Sequence, residues 1–312
     1  MTVTFDAGAL ALPQGAWART HRRYLRIDGR PVLGLTQGDF RSYVFPLFTP
    51  AGCLVTSEAP ADHPHHQSVW IGADHVHALV PASEGQVEEY TYNFYINDVF
   101  QGRAPGQIVE RSCAFESGSG GVAVIRQQLD WQGPAEWAAP EGRQILREER
   151  VLLVEQTADA TLLRLRSTLR PGAWPVRLGP TRHAFFNARV AESMPVQVGG
   201  RALDERGLSI ADTQTPAAAW IDYVGPVGHG REAGLALLPL TDQESGWWFV
   251  ADWGVMTWGP FRRSARARCR RRRRAGGLRD RARRRHRAGT AARAARSAGG
   301  PRAVVTRPEG EC

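Results

Sequence analysis

Apolar residues in the first 261 positions recur repeatedly at every second residue, and no helical period is sustained over a useful length. In residues 89–96, Tyr90, Tyr92, Phe94 and Ile96 alternate with Thr91, Asn93 and Tyr95, while Leu163, Leu165 and Leu169 oppose Arg164, Arg166 and Thr168. Successive side chains of a strand point to opposite faces, so each pattern describes a strand with one buried face. The same alternation predicts strands over residues 121–131, 144–155, 195–198, 234–240 and 247–257, with Gly, Pro, Asp or Asn clusters between them. Thirty-three glycines, 20 prolines and ten tryptophans suit short strands joined by turns. So many strands must hide their edges, which two packed sheets do better than one open sheet. The expected fold class is therefore all-β: one large antiparallel β-sandwich, supersandwich-like, over residues 1–261.

The formal net charge is +9, and its distribution decides what it means. From Arg262 onward nineteen arginines face only Asp280, Glu309 and Glu311, which leaves residues 1–261 net acidic. That body gives no ground for expecting a nucleic-acid partner. All 40 basic residues are arginine, as in the product of a GC-rich gene that avoids lysine codons. Within a few residues of Phe261 the sequence turns to Arg-Ala-Gly stretches with no strand pattern and strong self-repulsion, so residues 262–312 are expected to be disordered. Two origins compete: a basic arm for RNA, DNA or an acidic surface, or an out-of-frame translation of a GC-rich gene. The abrupt switch, at a point where the sandwich still lacks closing strands, favours the frameshift.

Cys53, Cys113, Cys269 and Cys312 show no C-x-x-C spacing, so neither a disulfide framework nor a cysteine metal site is indicated. Residues 1–17 carry Asp6, no early positive charge, and an apolar run broken by Gly8, Pro13 and Gly15, unlike a signal peptide. No run of 18 apolar residues could form a spanning helix. A soluble, cytoplasmic protein without a membrane partner is the expectation.

Five of the nine histidines fall between residues 63 and 77: His63, His65, His66, His75 and His77. Their core is Asp62-His63-Pro64-His65-His66-Gln67-Ser68-Val69-Trp70. In an extended strand His63 and His65 would share one face and His66 the other, although Pro64 favours a strand entry or a loop. Imidazole can move protons near neutral pH, ligate a transition metal, or simply hydrogen-bond in a core. A single histidine is usually structural, but three within four residues, between an aspartate and a tryptophan, point to a functional pocket. A second polar group lies in residues 180–190, where Arg182, His183 and Asn187 interrupt apolar neighbours; burying them unpaired would be costly, so they pair together or face a ligand. Asp222 and Tyr223 form a third candidate, which a buried Asp–Arg pair would explain nearly as well.

These residues resemble the PmoA-like family, catalogued as "methane oxygenase PmoA". The resemblance rests on Tyr43-Val44-Phe45-Pro46-Leu47-Phe48-Thr49-Pro50-Ala51-Gly52, the Asp62 to Trp70 segment, and residues 178–190, 220–223 and 247–261. It implies a single β-rich domain, cytoplasmic or exported, of undetermined activity that keeps company with sugar catabolism. A membrane methane monooxygenase subunit would need spanning helices, and none is present. Where the family runs into Asn-Pro-Phe, this chain has Gly259-Pro260-Phe261 and then loses the pattern. His183-Ala184-Phe185-Phe186-Asn187 is also similar to a fragment of the aldose epimerases, whose galactose mutarotase-like supersandwich needs a base for the anomeric hydroxyl and an acid for the ring oxygen.

The leading expectation is a carbohydrate-directed protein, enzyme or binder, acting on a small-molecule carbohydrate without a cofactor. Its catalytic residues would be His63, His65, His66 and His183, with Asp62, Trp70, Arg182, Asn187, Asp222 and Tyr223 contacting the substrate. The alternative is a metal-dependent enzyme holding a divalent transition metal on His63, His65 and His66. A second alternative is nucleic-acid binding by the basic tail.

Overall fold

A computed structural model describes residues 1–8, 10, 20–181, 183–207, 209, 218–240 and 246–261, together with the backbone of Ala267–Arg268 and Arg302–Thr306. Strands dominate, interrupted by three short 3-10 turns, and the described residues contain no α-helix. None of their helices is long and apolar enough to cross a membrane.

The first sheet has eight strands in the order Val3–Asp6, Thr20–Ile27, Arg30–Gly38, Ser42–Leu47, Val69–Ala73, Ala184–Arg189, Val255–Gly259 and Trp247–Val250. The second, also eight-stranded, runs Arg201–Asp204, Ile221–Pro226, Glu232–Leu238, Arg302–Thr306, Ala160–Pro171, Gln144–Gln156, Ala123–Gln132 and Gln107–Ser117. A five-stranded sheet of Ala267–Arg268, Val176–Leu178, Val76–Pro81, Val87–Asn93 and Ala104–Pro105 completes the architecture. Pairing is antiparallel except between Val87–Asn93 and Ala104–Pro105 and on both sides of Arg302–Thr306. The expected antiparallel sandwich is what the chain forms.

The core follows from alternation. Leu163, Leu165 and Leu169 are buried while Arg166 is exposed, and Val69, Ile71 and Ala73 join Phe186, Ala188, Ile125, Leu152 and Val154 in one apolar cluster. Each such Val, Leu, Ile or Phe side chain contributes about 1.5–3 kcal/mol by leaving water. The opposite face of the first sheet carries the row that positions the site: Tyr43 pairs with Trp70, Trp70 with Asn187, Asn187 with Thr257, and Thr257 with Phe249. Tyr43, Phe45, Trp70, Tyr95, Ala251 and Val255 form a smaller apolar cluster there.

Three expected strands differ in detail. Residues 195–198 form a 3-10 turn, Val196–Val198, closed by Gly199 at φ 102°. The strand expected over residues 247–257 is a hairpin of two, because the chain reverses at Gly254, whose φ of 102° favours glycine. The strand begun at Val87 ends at Asn93, whose side-chain oxygen accepts the amides of Tyr95 and Ile96 and so bends the chain. The expectation of a disordered tail lies largely outside the described residues. Arg302–Thr306 departs from it, since its backbone pairs with both Ala160–Pro171 and Glu232–Leu238.

Candidate functional site

Antiparallel pairing of Val69–Ala73 with Ala184–Arg189 sets the two polar segments of the sequence side by side. Ala73 lies opposite Ala184, so Asp74 meets His183 at one end of the pair. At the other end Arg189 donates its backbone N–H to the Ser68 carbonyl and approaches the histidine-rich loop.

At the first end one carboxylate organises everything around it. Asp74 is 1% exposed and accepts hydrogen bonds from His75 Nδ1 at 2.8 Å, His183 Nδ1 at 3.1 Å and the Thr181 hydroxyl, with Arg103 Nη2 at 3.5 Å. Burial alone would raise its pKa, but the bonds from His183, His75 and Thr181 outweigh that and hold it well below the usual carboxylate range. An ionised carboxylate only accepts, so both imidazoles carry a proton on Nδ1. Arg103, itself buried, also donates to Gln101 Oε1 at 3.0 Å, tying the turn at residues 100–103 to the carboxylate.

These groups line a cavity of about 400 Å³. Asp74, His75, Thr181, His183 and Gln101 supply its polar surface, and Phe100, Trp247, Trp248, Phe249 and Phe261 supply aromatic walls. His75 and His183 retain 30% and 24% side-chain exposure, enough for both to meet a guest.

At the second end the loop folds in tight turns, His63 N–H to the Pro60 carbonyl and His66 N–H to the His63 carbonyl. The strand geometry that would separate His63 from His66 therefore does not form. Their rings stack at 4.7 Å and 12°, and Trp253 lies on His63 at 4.3 Å and 7°. Asp62 accepts from Arg189 at 3.0 and 3.1 Å and pairs with His63 Nδ1 at 2.9 Å. His66 is 2% exposed, with Nε2 at 3.4 Å from the Tyr95 hydroxyl. Burial, then the charges of Arg41 and His63, pulls the His65 pKa down to about 3; burial, then His65 and His63, places His66 well below its ordinary value. Arg41, fully buried, donates to the carbonyls of His65 and Tyr95 and to Asn97, locking the loop to the segment that carries Tyr95.

Tyr95 joins the two ends, its ring 5.3 Å from His183, 5.8 Å from His65 and 6.1 Å from His66. The histidines of the two segments thus share one aromatic neighbour, but His63, His65 and His66 do not line the cavity. A metal on those three does not fit the rings: a ligating lone pair lies in its ring plane, and the parallel stacked planes of His63 and His66 cannot converge on one ion at about 2 Å. Among the described residues no group of three potential ligands is arranged to hold a metal.

Several expected contacts move to supporting roles. Trp70 is wholly buried and serves as a floor beneath His66 and Tyr95. Asn187 is also buried and donates to the Trp70 and Phe185 carbonyls while accepting from Thr257, so its amide fastens three strands. Asp222 and Tyr223 belong to the second sheet. The Tyr223 hydroxyl accepts from Val196 N–H and donates to the Ala251 or Asp252 carbonyl, bracing the turn that carries Trp253. Arg182 lies outside the described residues.

The sequence reading misses Asp74, Thr181, Gln101 and the walls Phe100 and Trp247–Phe249, and counts His75 without assigning it a role. An acid directly after the apolar run Val69–Ala73, followed by a histidine, is the signal that could have found Asp74 and His75.

The model of a family of unknown function, DUF6807, matches residues 23–301. No curated protein and no solved structure matches the chain.

Proposed function

We propose, from the premise that this chain belongs to the DUF6807 family, that its cavity holds a small-molecule carbohydrate, with His183 and His75 at the reacting end. The observation that carries this reading is the composition of the cavity: flat aromatic rings together with a carboxylate, two imidazoles, a threonine and a glutamine. Sugars present apolar C–H faces that stack on such rings, and hydroxyls that both donate and accept. A volume of about 400 Å³ lies within the range of about 300–1,000 Å³ common to small-ligand sites.

The finer likenesses, to the PmoA-like family and to aldose epimerases, belong to the same proposal. What supports the second likeness is that His183, in the epimerase-like fragment, lines the cavity, whereas Asn187 of the same fragment fastens strands. The proposal includes no cofactor, and the net-acidic body gives no ground for proposing a nucleic-acid partner.

Trp247 and Trp248 line the cavity, so tryptophan emission reports directly on occupancy. Titration with aldoses, ketoses, glycosides and keto-sugars is expected to give a saturable shift with at least one of them. A flat response across the whole panel contradicts the reading.

A further inference from the structure

We infer that the position between Ala160–Pro171 and Glu232–Leu238 is a strand-accepting slot, and that the segment Arg302–Thr306 enters it from a second copy of the chain as well as from its own. What the cavity holds has no bearing on this.

The second sheet is built of two halves. Gln107–Ser117, Ala123–Gln132, Gln144–Gln156 and Ala160–Pro171 are successive antiparallel neighbours, and so are Arg201–Asp204, Ile221–Pro226 and Glu232–Leu238. Among the described residues only Arg302–Thr306 joins them within the sheet, pairing from Ala160 to Arg164 on one side and from Gly234 to Leu238 on the other. Both of its ladders are parallel in a sheet whose other ladders are antiparallel, so it is an inserted strand rather than the arm of a hairpin.

The walls of the slot are made as interior strands. Natural edge strands are blunted by charge, proline or a bulge. Ala160-Thr161-Leu162-Leu163 and Gly234-Leu235-Ala236-Leu237-Leu238 have no charge and no proline, and neither wall shows a bulge against its other neighbour. Leu163, Leu235 and Leu237 belong to the main core, while Ala160, Leu162, Ala236 and Leu238 form a second buried cluster with Trp220 packed against it. Leaving the slot empty would orphan backbone N–H and C=O groups on two buried strands, a cost that the chain avoids only by filling it.

The strand that fills it is tethered through residues 269–301 to Ala267–Arg268. A tether of that many residues holds its strand at an effective concentration of roughly millimolar or below. The same strand from another molecule makes identical backbone bonds, so it competes as the protein is concentrated, and exchange yields a swapped dimer.

Two chains test this, one carrying Thr161→Cys and the other Ala303→Cys, positions that lie opposite each other in the ladder and so at about the 4.8 Å strand spacing a disulfide spans. After unfolding in urea and refolding together, mass spectrometry of digests is expected to find the 161–303 disulfide between the two chains, and a chain carrying both substitutions is expected to form it within itself. A crosslink in the doubly substituted chain with none in the mixture overturns supply by a second copy, and absence of both overturns the slot. Native mass spectrometry of the unsubstituted chain decides even if a cysteine variant fails to fold. Refolded at about 5 and about 500 µM, the chain should show a dimer fraction at least about tenfold greater at the higher concentration, which Val304→Pro, lacking a ladder N–H, should abolish. A monomer at both concentrations, or a dimer that Val304→Pro leaves intact, is the refuting result.

Discussion

Asp74→Asn removes one charge at nearly constant shape from the most connected polar group of the site. Asp74 is 1% exposed and Arg103 8% exposed, so the substitution leaves a buried guanidinium whose remaining acceptor is Gln101. Breaking a buried charge pair costs about 3–5 kcal/mol, chiefly through the partner left behind. The bonds from His75, His183 and Thr181 weaken as well, but they share the same oxygens and do not add in full. The expected loss is about 3–5 kcal/mol at pH 7.5, a large part of the roughly 5–15 kcal/mol that holds a typical fold together. The sign of the pH dependence follows from the lowered carboxyl pKa: the contribution is fully present above the unfolded value of about 4 and fades as pH falls toward the folded one. Urea unfolding followed by tryptophan emission at pH 7.5, 5 and 3 should show a wild-type advantage that is steady over the first two and narrower at the third. A gap below about 1 kcal/mol at pH 7.5, or one undiminished at pH 3, refutes the assignment of Asp74 as the ionised hub.

His65 and His66 are held below their ordinary pKa, so they stabilise the fold fully above pH 6.5, and that contribution is lost as the unfolded chain takes up protons at lower pH. At pH 5 the cost is about 2 kcal/mol for a fully buried ring and less for the partly exposed His65, so His66→Gln should flatten the decline in urea midpoint between pH 7 and 5; an unchanged slope counts against it. Asn187→Ala should destabilise by about 1–3 kcal/mol through the unpaired Thr257 hydroxyl and strand carbonyls, with sugar affinity retained. A folded variant that has lost its sugar response would return Asn187 to the binding surface.

Much of the fold is legible because a buried strand face leaves a period-two trace, as Leu163, Leu165 and Leu169 show. Boundaries are less so: the alternation running past Asn93 cannot announce that the Asn93 side chain will cap the next two amides and turn the chain. The polar residues of both segments stand out because burying them unpaired is costly. Their partners do not, since partnership depends on strand register. Trp70 opposite Asn187 puts Asp74 beside His183, and a shift of one residue would reverse the faces. Extended geometry also misplaces the histidine cluster, because two consecutive turns around Pro64 stack His63 on His66. Residues such as Phe100, Gln101 and Trp247–Phe249 carry no local mark at all; they become walls only when hairpins far apart in sequence close on the same space.

Nitrogen NMR of ¹⁵N-histidine-labelled protein, recorded while a responsive sugar is added, reads the site most directly. His75 and His183 should move together and saturate at the sugar concentration where tryptophan emission saturates, while the exposed His21 and His229 stay fixed. Saturable emission shifts with His75 and His183 unmoved would place the sugar elsewhere on the molecule and contradict the account.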